Sequence, residues 1–192
     1  KTLALTYPVA FNDPINHGDI AISFHQSGHL LGSAFVKLRL EEKTITFSGD
    51  VGRYRNNFYP DPAPIGPTDI VVSESTYGNS FHRKKIDAYH ELLETVIEKF
   101  RQGQTIIIPA FSVGRTTEIL HGLRQLAEQT GRLNELDQIP TYLDSPLGLK
   151  ALEIYRERQD YLSASFDEKY LSGPNVHLLQ DPGESYSLDK KT

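Results

Sequence analysis

The chain contains no cysteine. Disulfides and thiolate metal sites are thereby excluded, so any metal bound by these residues is held by His, Asp or Glu. The same lack suits a reducing compartment, and a cytoplasmic, intracellular location is the expectation. Methionine is missing too, and the chain opens Lys1-Thr2-Leu3, so the expectation is an internal piece of a longer protein. No apolar run approaches the ~20 residues that a spanning helix needs. No charged-then-apolar signal segment opens the chain, and no membrane partner is expected. An excess of positive charge is also lacking: 20 Lys and Arg stand against 25 Asp and Glu, a net charge of −5. A nucleic-acid site, if present, must be a local basic feature.

What remains is globular composition. With 192 residues and 38% hydrophobic content, the chain can form one large domain or two modest ones. The first third reads as strands. Ile20 to His25 is a β-rich run, Ser33 to Leu40 alternates, and Thr44 to Ser48 alternates again after the polar turn Glu41-Glu42-Lys43. An antiparallel meander is expected there. Residues 54–68 hold four prolines and little periodicity, which predicts a surface loop. The apolar Ile70-Val71-Val72 predicts a short buried strand.

Beyond Glu74 the pattern alternates between helix and strand. Ile86, Tyr89, Leu92, Leu93, Val96, Ile97 and Phe100 have helical spacing, with Gly103 as a stop. Thr105 to Ile108 predicts a buried strand and Thr116 to Gln129 a helix closed by Gly131. Thr141 to Leu143 predicts a strand. Ser145-Pro146 supplies an N-cap and a first-turn proline for a helix to about Arg158. Asn175 to Leu179 predicts another strand. This order implies a parallel sheet with crossovers. The fold class expected is α/β, with antiparallel strands over residues 1–75 followed by a parallel-sheet domain over 76–192.

Three constellations carry chemistry. The first is SGHLLGSAFVKLRLEEKTITFSGDVGR, residues 27–53. Pairing the strands across a three-residue turn sets Leu40 opposite Thr44, Val36 opposite Ser48 and Ala34 opposite Asp50. That register returns Asp50 to the sheet end that holds His29. Both sit on glycine-flanked turns, and from spacing alone such turns are usually plain turns. His25 lies on a strand, where helical metal-pair spacing does not apply. The second is IVVSESTYGNSFH, residues 70–82, which delivers Glu74 at the carboxyl end of a strand. Such ends collect ligands, and a carboxylate there can orient a histidine or simply cap the turn. The third is IIIPAFSVGRTTEIL, residues 106–120. Its helix N-terminus and Arg115 suit phosphate, and a structural arginine paired with a nearby acid fits equally well. The Ser145 turn aligns with it. The cluster His82-Arg83-Lys84-Lys85 reads as a solvated helix start.

Taken in order, SGHLLGSA, FSGDVGR, SESTYGNSFH, PAFSVGRTTEIL and LDSPL resemble the metallo-β-lactamase-fold nucleases that carry a β-CASP insertion. That family includes the pre-mRNA 3′-end cleavage nuclease and its bacterial and archaeal relatives. The resemblance covers nearly the whole chain. It implies that His29 is a ligand of one zinc and that Asp50 bridges two. It implies that Glu74 is an acid partnering an active-site histidine, so that Glu74 and Asp50 count as the catalytic residues. Arg115, Thr116 and Ser145 would line the RNA cleft. Residues 1–75 would be part of a metallo-β-lactamase domain, and 76–192 the β-CASP domain.

The implied activity is zinc-dependent ribonuclease action, endonucleolytic or from the 5′ end. A hydroxide held between two zinc ions would hydrolyse the phosphodiester. Expected partners are RNA and a second copy or a homologue of the chain. The family's His-x-His-x-Asp-His signature does not occur in this sequence. This chain alone is therefore expected to be inactive, its remaining ligands coming from sequence on either side. Two other readings stay open: a non-catalytic RNA-binding or scaffold homologue, and a small-molecule metallo-hydrolase of the same fold. The long βα segment after Glu74 counts against the latter.

Overall fold

The computed structural model describes residues 2–81, 84–181 and 183–184. It divides into two compact units, the first ending at Asn79 and the second beginning at Ser80.

The first unit is a five-stranded sheet in the order β1 (Ile15–His17), β2 (Ile20–Gln26), β3 (Ala34–Leu40), β4 (Lys43–Phe47) and β5 (Ile70–Val72). The first four strands pair antiparallel. β5 pairs parallel to β4, with Thr46 opposite Val71, so the sheet is mixed rather than a pure meander. The β3–β4 turn is one residue shorter than expected. Leu40 faces Lys43 and Val36 faces Phe47, because Glu41 takes a positive φ of 52° and closes a two-residue connection. A one-residue shift exchanges the faces of a strand. Thr46 and Ser48 are buried, while Phe47 is exposed.

Two further expectations are corrected. Ile70, Val71 and Val72 are each 50% exposed, since β5 lies at the edge of its sheet. The prolines of residues 54–68 do prevent regular structure, but the segment is anchored: Phe58 and Tyr59 are buried in edge-to-face contact. His25 is a strand residue stacked on Phe35. Its ring nitrogens bond Asn12 and Ser23, which ties the segment before β1 to the sheet.

The second unit runs α1 (Lys85–Arg101), α2 (Arg115–Gln129), α3 (Leu133–Leu136), β6 (Thr141–Leu143), α4 (Pro146–Glu157) and β7 (Val176–Leu178). Its core is the apolar stripe of α1, through Leu93, Val96 and Ile97, set against Leu123, Leu126 and Ala127 of α2, with Leu136 and Ile139. The helix stops fall at Gly103 and Gly131, both at φ +70°. β6 and β7 form a parallel pair joined through α4. Buried Arg124 braces that pair from α2: its guanidinium donates to Asp137 and to Asn175, the residue just before β7.

Thr105 to Ile108, expected as a buried strand, pairs with no strand among the described residues, and Ile107 is 84% exposed. β-branched residues favour extended backbone, but a strand exists only where a neighbour completes its hydrogen bonds. Of the basic cluster, His82 and Arg83 lie outside the described residues.

Candidate functional site

Strand direction assembles the first site. β2 runs antiparallel to β3, β3 antiparallel to β4, and β4 parallel to β5. Three strands, β2, β4 and β5, therefore point the same way. Their carboxyl ends open onto one edge of the sheet, and the residues that follow them are His29, Asp50 and Glu74. The carboxyl edge of parallel strands is where ligand-binding loops gather.

His29 Nε2 lies 3.8 Å from Asp50 Oδ2, and their side chains are 43% and 73% exposed. The loop around His29 is built on Ser33. The Ser33 Oγ accepts from the His29 and Leu30 N–H groups at 3.0 and 2.9 Å and donates to the Leu30 carbonyl. Ser27 Oγ donates to Ser33 Oγ at 2.9 Å. The two loops are then brought together by glycines. The Gly52 N–H donates to the Ser27 carbonyl at 2.8 Å. A Cβ at Gly52 would stand 1.9 Å from the Gly28 carbonyl oxygen, and one at Gly28 would stand 2.6 Å from the Pro60 oxygen. Only bare Cα atoms allow this approach.

Glu74 reaches the same edge, joined to the backbone beside Asp50. Its Oε1 accepts the Val51 N–H at 2.7 Å, and its Oε2 accepts the Thr76 hydroxyl at 2.7 Å. The Val51 N–H, then the Thr76 hydroxyl, hold the Glu74 carboxyl below the usual carboxylate range, and nearby His29 acts in the same direction. Among the described residues, no group of three or more His, Asp or Glu side chains is placed to hold a metal.

The second cluster belongs to the second unit. Gly114, at φ 83°, turns the chain into α2, and Thr116 bonds back to the Phe111 carbonyl through both its N–H and its hydroxyl. Ser145 caps α4, accepting the Gly148 N–H at 3.1 Å, and donates to Ser112 Oγ at 2.9 Å. The turns that lead into α2 and α4 are thus joined side by side. Arg115 pairs with Glu118 at 2.8 Å, with 57% of its own side chain exposed. The structural-arginine reading of this residue therefore has its acid, while much of the guanidinium faces solvent.

The sequence reading singled out His29, Asp50, Glu74, Arg115, Thr116 and Ser145. It passed over the residues that hold them: Ser33, Ser48, Thr76 and Ser112. Each is a small hydroxyl within a segment already marked, and small hydroxyls adjoining glycine turns are the available signal.

A His–Asp pair at the carboxyl edge of a mixed sheet, in a chain that also carries a βα unit with two joined helix starts, narrows the class to α/β proteins with loop-borne sites. Residues 116–191 match the Beta-Casp domain model. A ribonuclease of Thermus thermophilus is 34% identical over 168 residues, which cover 88% of this chain and 38% of that protein. Transcription termination factor FttA of Methanosarcina mazei is 32% identical over 201 residues, covering 100% of this chain and 31% of the relative. Cleavage and polyadenylation specificity factor 73 of Drosophila melanogaster is 32% identical over 143 residues, covering 73% of this chain and 20% of the relative. The chain carries a Beta-Casp domain and is similar over most of its length to nucleases of the metallo-β-lactamase/β-CASP kind. It spans between about a fifth and two-fifths of the length of these relatives.

Proposed function

We propose that the intact protein is a metal-dependent ribonuclease that hydrolyses phosphodiester bonds in RNA processing or decay. The observation that carries this reading is the delivery of His29, Asp50 and Glu74 to one sheet edge, with His29 Nε2 3.8 Å from Asp50 Oδ2. It occurs in a chain whose relatives include a ribonuclease and endoribonucleases. An imidazole and a carboxylate are donor types suited to zinc. Two donors do not complete a zinc site, which takes three or four protein ligands, so the rest would come from parts of the protein outside this chain.

A bound zinc would supply a Lewis acid for the phosphoryl oxygens and lower the pKa of a coordinated water. This chain's residues would do the following. His29 and Asp50 would each present a donor atom from a fixed loop. Glu74, ionised, would hold the Asp50 loop in place and carry negative charge close to His29. Arg115, Thr116 and Ser145 would take RNA phosphates, with α2 and α4 directing N-terminal N–H groups at the anion.

The test is cleavage of single-stranded RNA by the intact protein with zinc or manganese, using substrates labelled at each end. Metal-dependent cleavage that disappears in Asp50→Ala supports the reading. Undiminished cleavage in that variant contradicts it.

A further inference from the structure

Beyond its last paired residues, the β4–β5 ladder does not simply end. Phe47 pairs with Val72, and the next N–H along β4, that of Ser48, donates to the Val72 carbonyl at 2.9 Å. The Ser48 hydroxyl then accepts the Glu74 N–H at 3.0 Å and donates to the Gly49 carbonyl at 2.7 Å. Val51 lies beyond β4, which ends at Phe47. The chain after Glu74 turns away through Thr76 to Asn79, while the Glu74 carboxylate reaches back to the loop after β4 and accepts the Val51 N–H at 2.7 Å. A side chain thus ties the two segments together past the point where the strands part.

We propose that Glu74 is the positioning residue for Asp50: its carboxylate holds the Val51 N–H and so fixes the backbone beside Asp50 against the His29 loop. This rests on the reading of His29 and Asp50 as metal donors for its consequence, but not for its mechanism. The choice of side chain follows from the donors. Val51 N–H and Thr76 Oγ–H both point at Glu74, and only an ionised carboxylate accepts at both oxygens while donating at neither. A glutamine would accept from Val51 through its oxygen and donate its N–H₂ to the Thr76 oxygen, which reverses the second bond. Thr76 serves to hold the second oxygen and so the orientation of the first. The Gly28–Gly52 approach sets how closely the loops pack. Glu74 sets where along the loop Asp50 stands.

The test uses the intact protein and two readouts that need no catalysis. The first is deuterium exchange of the peptide containing Val51, measured without metal. The second is zinc affinity by competition with a chromophoric chelator. In Glu74→Ala, Val51 exchange is expected to accelerate about tenfold or more, and zinc affinity to fall about 10- to 100-fold. Thr76→Val should move both readouts the same way by less, and Thr76→Ser should restore them. The threonine pair also covers the case in which Glu74→Ala does not fold.

Val51 exchange unchanged in Glu74→Ala, or in Thr76→Val where the former does not fold, overturns the proposal. So does unchanged zinc affinity accompanied by loss of RNA cleavage, which would place Glu74 on a reacting partner instead. Accelerated exchange and weakened zinc binding in a protein that cleaves no RNA would leave the proposal standing and remove the nuclease reading.

Discussion

Gly52 lies directly against the peptide that precedes His29: a Cβ added at position 52 would meet the Gly28 carbonyl oxygen at 1.9 Å and the His29 nitrogen at 2.7 Å. The neighbouring atoms are backbone and cannot swing aside. Gly52→Ala must therefore push the Asp50 loop away from the His29 loop. A loss of about 3 kcal/mol in the first unit is expected, read by urea unfolding. Gly103→Ala supplies the contrast. Its Cβ would meet nothing within 4 Å, so only the strain of its φ of +70° remains, about 1 kcal/mol. Equal losses in the two variants would mean that the Gly28–Gly52 approach does not constrain the loops.

Ser145 has two tasks, capping α4 and holding Ser112. Ser145→Ala should cost about 1 kcal/mol of stability through the lost cap. Ser145→Asp keeps a capping oxygen but sets negative charge beside the turn proposed for RNA phosphates. It should retain stability and weaken RNA binding, measured by filter binding at fixed salt. RNA affinity unchanged in Ser145→Asp would remove this turn from the RNA path.

Asp69 supplies a pH prediction for the first unit. The Thr44 N–H at 2.8 Å and the Lys43 ammonium at 3.2 Å hold its carboxyl below the ordinary value. A carboxyl lowered in the folded state contributes stability that is fully present above its unfolded value, near 4, and lost as pH falls through the folded one. The difference in urea stability between wild type and Asp69→Asn should therefore be constant at neutral pH and shrink on acidification below about pH 4. A difference that is the same at pH 7 and pH 2.5 would contradict the assignment.

How much of this was legible in the sequence depends on what each feature requires. The helices α1, α2 and α4 were legible to within a residue or two, because apolar spacing, Gly103, Gly131 and the Ser145-Pro146 start are all local. The meeting of His29 and Asp50 was legible as well, although the register that predicted it was one residue off. Strand direction alone takes both loops to one edge, and direction tolerates a slip that face assignment does not. The exposure of Ile70–Val72, and the lack of a strand partner for Thr105–Ile108 among the described residues, were not legible. An apolar run indicates what would be buried by a neighbour, and it does not reveal whether a neighbour is there. The role of Glu74 toward Val51 was illegible for another reason: it joins residues 23 apart, beyond two strands whose parallel pairing the local pattern does not name.

The most direct test of the central claim, that His29 and Asp50 hold metal, is the zinc content of the intact protein after exhaustive dialysis, compared with His29→Ala and Asp50→Ala. Thermal unfolding should be followed in parallel to confirm that the variants fold. Zinc bound by the wild type and lost or sharply reduced in both folded variants is the predicted result. Equal zinc in all three proteins would contradict the account.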